Sequence, residues 1–248
     1  RRKGVMMKRL MSVLILCSVL MTGICLAGDD TLTQVSTIDA LMTGVYDGGT
    51  TLVELRKHGD FGLGTFNALD GELILLDGAF YQVLSTGAVA RPDLAVKTPF
   101  AAVTFFKADR KVPLERGMTF KKFADSTEKV FPTRNIFYAL KVTGTFKMVK
   151  TRSVPAQKKP YRPLSEVVKT QPVFDLSEVR GTIVGFWCPS YVKGINVPGY
   201  HLHFLSADAK QGGHVLDFTV DNAIMEIDDT NEFFLALPDD SEYSKANL

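Results

Sequence analysis

The chain contains 248 residues, of which 46% are hydrophobic and 23% are charged, and its formal net charge is +2. This length and balance are typical of a globular protein with one or two domains, and they exclude a disordered or low-complexity chain. Without its basic amino-terminal segment, residues 1–27, the chain is mildly acidic, and such a surface does not attract a polyanion, so we expect no nucleic-acid partner.

The amino-terminal segment has the order of features that is typical of a secretory signal peptide. Two basic residues, Lys8 and Arg9, precede an apolar run that extends to Met21, and small residues close the segment around Ala27. The run is shorter than the roughly 20 apolar residues that a membrane span needs, which disfavours a membrane anchor. We therefore predict that residues 1–27 are a signal peptide and that the protein is exported, to the periplasm or outside the cell.

Removal of this segment would leave a mildly acidic chain with one cysteine and no stable membrane span. The remainder has 24 basic and 27 acidic residues, a formal charge of −3, and Cys188 as its single cysteine. An internal disulfide is then excluded. The exported protein must therefore be stabilised by its core, by a metal or by association.

The first part of the remaining chain, residues 28–152, mixes short helices with strands. Apolar residues at helical spacing predict helices over residues 35–48 and 50–59. Short apolar or alternating runs follow, separated by Asp-Gly pairs at 70–71 and 77–78, and this arrangement is typical of β-hairpins.

The end of this part adds one helix and a predicted pair of strands. Residues 119–132 carry a helical segment that stops near Pro132. Residues 134–154 alternate between apolar and polar side chains, and we place a turn at Gly144 that divides them into two strands.

A proline-rich segment, residues 153–173, separates this part from a second one. Proline donates no backbone hydrogen bond, so the segment is predicted to cross the surface between two layers or subdomains. Strand patterns return after it. We predict a mixed α/β, β-rich fold with two β-sheet or barrel-like parts and a few short helices. The parts are residues 28–152 and residues 153–248, the second of which contains most of the histidines.

Three of the four histidines fall within one short segment. His201 and His203 are two residues apart on a predicted strand, so their side chains face the same side. A turn that ends in Gly212 and Gly213 returns the chain antiparallel and brings His214 opposite this pair. Three converging imidazoles predict a divalent metal site, with zinc favoured by the nitrogen donors and with open positions for water or substrate.

The residues alone leave other interpretations open. A His-x-His pair on a strand is also typical of an exposed polar face. A metal-binding chain could be an exported oxygenase or isomerase with an added carboxylate ligand, for which Asp208 is near enough in sequence. The odd spacing of Asp217 from His214 should turn the Asp217 side chain away. The chain could also be a metal-binding protein of the cell envelope, which needs no catalytic groups beside the metal.

Four segments resemble those of bacterial alpha-acetolactate decarboxylases. They read GDFGLGTFNALDGELILLDGAFYQ at 59–82, KTPFAAVTFF at 97–106, KTRSVPAQKKPYRPL at 150–164 and NVPGYHLHFLSADAKQGGHVLDF at 196–218. They occur in the order and spacing of the family, and the similarity extends over residues 31–248. A chance cluster of histidines would not bring the other three segments with it.

The resemblance implies a zinc enzyme, usually a homodimer, that converts 2-acetolactate to acetoin and CO2, one step before butanediol. In the reaction that the resemblance implies, the carbonyl and hydroxyl oxygens of the substrate chelate the Zn2+ ion. It then stabilises the enediolate that loss of CO2 leaves behind, as a Lewis acid.

The resemblance also implies roles for individual residues outside the histidine segment. Arg152 corresponds to the active-site arginine of the family, suited to hold the substrate carboxylate or the enediolate. Glu72 corresponds to an active-site glutamate that handles protons, and Thr65 lines the pocket. Without the resemblance, Arg152 is equally a surface charge at a strand end, and Glu72 is an ordinary hairpin residue.

A second catalytic glutamate of the family comes from its carboxy-terminal tail. The tail here reads LPDDSEYSKANL, and Glu242 is its only glutamate. We assign the role to Glu242. The alternatives are a residue beyond Leu248 or another acidic residue.

Overall fold

The computed structural model describes residues 30–248, so the predicted signal peptide lies outside the described residues. The α-helices of the described part are all short, and none is long and apolar enough to cross a membrane. These helices are α1 (Ile38–Thr43), α2 (Leu52–Leu55), α3 (Phe120–Thr127), α4 (Leu164–Val167) and α5 (Ser241–Lys245). Single 3-10 turns cover Arg56–His58, Asn67–Leu69, Val168–Thr170 and Ser190–Val192.

Strand is the main regular secondary structure of the described chain, which confirms the prediction of a mixed, β-rich fold. The shorter strands are β1 (Thr31–Val35), β2 (Thr50–Thr51), β3 (Phe61–Thr65), β4 (Glu72–Leu76), β5 (Ala79–Val83), β6 (Val89–Ala90), β7 (Lys97–Thr98), β8 (Ala101–Thr104) and β9 (Arg110–Leu114). The strands that follow are β10 (Phe137–Arg152), β11 (Val173–Cys188), β12 (Gly199–Ser206), β13 (Gly212–Thr230) and β14 (Glu232–Ala236).

The first large sheet has seven strands in the order β14-β1-β8-β3-β4-β5-β6. Strands β4 and β5 form the hairpin predicted at Asp77-Gly78. On one face of this sheet, Leu52 and Leu55 of helix α2 pack against strand residues such as Leu73 and Val103. The short helix therefore covers an apolar sheet face that would otherwise be exposed.

The second large sheet closes on itself, as the barrel-like prediction requires. Its order is β10-β11-β12-β13-β9, and β10 pairs with both β11 and β13. Aromatic side chains fill the interior, among them Phe146, Phe204 and Phe218, all fully buried. Phe123 of helix α3 packs against the same cluster.

The two sheets pack against each other through an apolar layer. Phe61, Leu63 and Ile74 of the first sheet contact the cluster that contains Val184 and Phe186 of the second. Cys188, the one cysteine among residues 30–248, is buried in this layer, and burial raises the pKa of its thiol. Side chains that point outward from the barrel near this layer therefore meet residues of the first sheet.

The predicted turn at Gly144 is wrong, because residues 137–152 form one continuous strand. Gly144 lies in the middle of β10, where a Cβ atom would stand 2.1 Å from the carbonyl oxygen of Asn222 on β13. The glycine permits two backbones to approach closely and does not reverse the chain.

The division at residues 152 and 153 remains a prediction, but the sheets draw their strands from both sides of it. Strand β10 precedes the division and pairs with β11 and β13, which follow it. Strand β14 follows the division and pairs with β1. The proline-rich segment does not cross between the sheets, because it connects β10 to β11, two neighbouring strands of the second sheet; most of its side chains are exposed or half-buried, so it does run over the surface.

Candidate metal and active site

Strand β12 presents two histidines to the layer between the sheets. Its alternation sends Leu202 and Phe204 into the barrel interior and His201 and His203 to the opposite side. This is the placement that the period of two residues predicts for a strand. Both imidazoles are buried.

The third histidine arrives on the next strand. After the turn, β13 begins at Gly212, and His214 pairs directly with His203. Gly213 adopts a φ of +134°, and a Cβ there would lie 2.5 Å from the carbonyl oxygen of Arg152. A residue with a side chain would have to push β10 away, so the glycine lets the strands approach beside His214.

The three imidazoles form a compact cluster. The ring centroid of His201 is 5.3 Å from that of His203 and 5.1 Å from that of His214. One nitrogen from each ring lies within 4.8 Å of the others. Nδ1 of His201 and Nε2 of His203 are buried without a hydrogen-bond partner. Buried ring nitrogens without a hydrogen-bond partner, in a cluster this compact, are suited to bind a divalent ion.

The protein environment favours the neutral form that a metal requires. Burial lowers the pKa of His201 to about 3, and it lowers the pKa values of His203 and His214 well below their usual range. Nδ1 of His203 lies 2.9 Å from the carbonyl oxygen of Leu73. A carbonyl only accepts, so Nδ1 carries the proton and Nε2 keeps its lone pair for a ligand.

Glu72 and Thr65 come from the first sheet and face the same cluster. They pair with each other across β3 and β4. Oε2 of Glu72 is 3.5 Å from Nε2 of His203. Burial raises the pKa of Glu72 to about 7, although the nearby Arg152 opposes this. The Thr65 hydroxyl donates to the carbonyl oxygen of Gly71 at 2.7 Å, which fixes the side chain.

Arg152 ends strand β10 and pairs with His214 across the sheet. Its Nη1 donates to Oε1 of Gln171 at 2.8 Å and stands 3.8 Å from Oε1 of Glu72. The guanidinium is therefore hydrogen-bonded to an amide and close to, but not hydrogen-bonded with, the carboxylate.

A cavity of about 250 Å³ joins these groups. Its polar lining consists of Thr65, Glu72, Arg152, His201 and His214. Its apolar wall comes mainly from α1 and the loops, with Ile38, Leu41, Leu69, Phe100, Val154 and Leu164. The space suits a small polar ligand that carries short alkyl groups.

Glu242 is not brought to this cavity. It lies on α5, where its Oε1 is 2.6 Å from Nζ of Lys159, and that ammonium also contacts Asp47 at 2.8 Å. Glu242 lines wider surface grooves instead.

The acidic residues weighed as extra ligands also stay outside the cluster. Asp208 accepts from the Ser206 hydroxyl at 2.7 Å. The odd spacing from His214 predicted that the Asp217 side chain turns away from the histidines. That argument is wrong, because a bulge at Leu216 shifts the alternation of the strand and places Asp217 opposite Lys150 on the outer side of the strand. Its Oδ1 nevertheless accepts from the Phe218 amide at 2.8 Å. Within residues 30–248, only the three histidines converge in metal-binding geometry.

Sequence patterns missed three features of the site. The Leu73 carbonyl leaves no trace in the residue type, since every residue has one. Gln171 sits in the proline-rich segment without a motif. Residues of the apolar wall, such as Phe100 and Leu164, could be predicted as buried but not as lining a cavity.

Comparison with known proteins gives one consistent result. The sequence profile of alpha-acetolactate decarboxylase matches residues 32–248. The alpha-acetolactate decarboxylase of Methylococcus capsulatus is 48% identical over 87% of this chain and 83% of its own length. The one from Methanosarcina mazei is 47% identical over 88% and 76%. The crystal structure of alpha-acetolactate decarboxylase from Bacillus subtilis strain 168 superimposes with a TM-score of 0.86 at 45% identity, covering 88% of this chain and 93% of that one.

Proposed function

The chain belongs to the alpha-acetolactate decarboxylase family and is a decarboxylase, and on this premise we propose a specific reaction and cofactor. The protein converts 2-acetolactate to acetoin and CO2 with a Zn2+ ion held by His201, His203 and His214. The observation that carries this proposal is the convergence of three neutral imidazoles, two buried and one half-buried, with a carboxyl group and a guanidinium, and all of these groups except His203 line one small cavity.

The three histidines suit zinc because they offer only nitrogen donors and leave coordination positions open. A bound Zn2+ supplies Lewis-acid stabilisation of the negative charge that develops when the carbon–carbon bond breaks. The Leu73 carbonyl orients His203 for this purpose by fixing its tautomer.

Arg152 binds and orients the substrate. Its guanidinium lies at the cavity wall beside His214, and it is mostly buried, with 17% of the side chain exposed. A planar cation at that position can hold the carboxylate that leaves as CO2. Held in this way, the bond to be broken stays next to the histidine cluster.

Glu72 supplies the proton that replaces CO2. Loss of CO2 leaves an electron pair on carbon, and acetoin forms when that carbon gains one proton. Glu72 faces the cavity, is 7% exposed and lies 3.5 Å from the His203 ring. A catalytic role for Glu242 would require its carboxylate to leave Lys159 and α5 to move into the cavity. We therefore assign the proton donor to Glu72 alone.

The apolar wall fits the rest of the substrate. Acetolactate carries two methyl groups, and Leu41, Phe100 and Leu164 offer apolar surface opposite the polar lining. We propose short 2-hydroxy-3-keto acids as the substrate class on this basis.

Release of CO2 from racemic acetolactate tests the proposed activity. We expect the protein to be inactive after a chelator has removed its metal, and we expect one equivalent of Zn2+ to restore turnover. CO2 release at the parent rate by protein that elemental analysis shows to be metal-free would refute the metal role, and no release by the zinc-loaded protein would refute the substrate.

Export and dimerisation are separate proposals. The basic and apolar order of residues 1–27 supports export, and the family resemblance supports a homodimer. Mass spectrometry of the protein made in a bacterial host tests the first, since we expect a chain that begins near residue 28. Light scattering tests the second, and a monomeric mass at micromolar concentration would contradict it.

A further inference from the structure

The Arg152 guanidinium has one hydrogen-bond partner on the side away from the cavity. Its Nη1 donates to Oε1 of Gln171 at 2.8 Å. Because arginine has donors only, the atom of the Gln171 amide that faces it must be the oxygen. Gln171 itself does not line the cavity, so any effect on the substrate must pass through Arg152.

The backbone around Gln171 is held against the end of β10. The Ser153 amide donates to the Pro172 carbonyl at 3.3 Å, and Arg152 pairs with Val173 in the sheet. The backbone N–H of Gln171 also donates a hydrogen bond to the Val168 carbonyl at 3.4 Å, which closes the 3-10 turn. The side-chain amide is therefore presented to Arg152 from a fixed position.

The alternative partner for Arg152 is Glu72. Its Oε1 is 3.8 Å from Nη1, within ion-pair range but beyond hydrogen-bond distance. A guanidinium released from Gln171 could move onto this carboxylate and form a direct pair. The amide is neutral, so it orients the guanidinium without cancelling the charge that a substrate carboxylate needs.

We propose that Gln171 is a positioning residue, which holds the Arg152 guanidinium away from Glu72 so that its charge and free N–H groups face the cavity. This inference rests on the proposed function for the role of Arg152. It assigns to the proline-rich segment a part in substrate binding.

A double-mutant cycle tests the inference. We expect Gln171→Leu to lower kcat/KM for acetolactate by about tenfold to a hundredfold, the effect of losing one hydrogen bond to a charged group. Zinc content and melting temperature should stay at the parent values. In an Arg152→Met background the same substitution should change kcat/KM less than about twofold, because methionine offers no N–H donor for Gln171 to hold.

Two further variants distinguish the positioning of the Arg152 guanidinium from an effect of charge at residue 171 and from a general effect on the packing of the proline-rich segment. Gln171→Glu keeps an acceptor oxygen but adds a negative charge, so we expect KM to rise more than kcat falls. Gln157→Leu is the matched control, since Gln157 is a half-buried glutamine of the same segment that bonds only the Pro155 carbonyl with its side chain. Calorimetric binding of 2-hydroxyisobutyrate, a carboxylate that cannot react, should weaken in Gln171→Leu and not in Gln157→Leu.

The outcomes distinguish this inference from the proposed function. If Arg152→Lys is impaired but Gln171→Leu matches the parent, the positioning role is overturned and the proposed function stands. An equal loss from Gln171→Leu in both backgrounds also overturns it, because the effect would not pass through Arg152. If Arg152→Lys itself matches the parent, the role of Arg152 and this inference are both overturned, while CO2 release by the zinc-loaded protein still decides the proposed function.

Discussion

Asp228 makes the stability of the protein depend on pH in a direction opposite to that of most carboxylates. It is fully buried on β13, and its Oδ1 has no hydrogen-bond partner. Burial raises its pKa from 3.8 to about 7, and Asp109, Asp30 and Asp229 add to the effect. The Lys107 amide, which donates to Oδ2 at 3.2 Å, opposes it.

The magnitude follows from linkage between protonation and folding. A raised pKa means that the folded protein prefers the neutral carboxyl, so this stability is present at low pH. It is lost as pH rises from about 4, where the unfolded chain titrates, to about 7, where the folded protein does. Three pKa units correspond to about 4 kcal/mol, lost at about 1.4 kcal/mol per pH unit.

Asp228→Asn should remove this dependence, because asparagine stays neutral at every pH. We expect the variant and the parent to have similar free energies of unfolding near pH 4. At pH 8 the variant should be more stable by about 4 kcal/mol. Urea unfolding at several pH values measures the difference, and the pH dependence of metal binding cancels between the two proteins.

Asp239→Asn, at an exposed aspartate near the carboxy terminus, is the control and should show no such trend. If the difference between Asp228→Asn and the parent is the same at pH 5 and pH 8, or if the variant is the less stable at pH 8, the pKa of Asp228 is not raised in the folded protein and the reasoning fails.

Three further predictions concern the active site. His203→Ala should lose bound zinc and activity together, since two imidazoles rarely retain zinc against a chelator; stoichiometric zinc by elemental analysis would contradict the ligand assignment. Arg152→Lys keeps the charge but loses the planar fork, so kcat should fall about a hundredfold to a thousandfold with zinc retained, and an unchanged kcat would remove Arg152 from the reaction. Glu72→Gln keeps the shape of the side chain without its acidic proton, so steady-state kinetics should show kcat lower by about a hundredfold or more; parent kinetics would place the proton donor elsewhere.

The histidine cluster could be predicted because it depends on short-range geometry. His201 and His203 share a face because side chains alternate along a strand. Gly212 and Gly213 predicted the chain reversal that brings His214 beside them. These relations span few residues, so the local pattern is sufficient.

The rest of the site depends on contacts between the two sheets. Glu72 and Leu73 belong to the first sheet, while His203 and Arg152 belong to the second. No local pattern indicates which residues of two sheets will meet, and only the family resemblance pointed to Glu72 and Arg152. Gly144 was mistaken for a turn because glycine serves both reversals and close strand approach.

The parallel pairing of β1 with β14 has a consequence for biosynthesis. Among the strands of residues 30–248, β1 is made first and lies between β8 and β14, which is made last, with Thr31 opposite Glu232. Until β14 is made, one edge of β1 has unpaired backbone groups and can associate with other chains. Contacts of such long sequence separation also slow folding. The first sheet cannot be completed before β14 is made, so a chaperone that binds the nascent chain would protect this edge until β14 arrives.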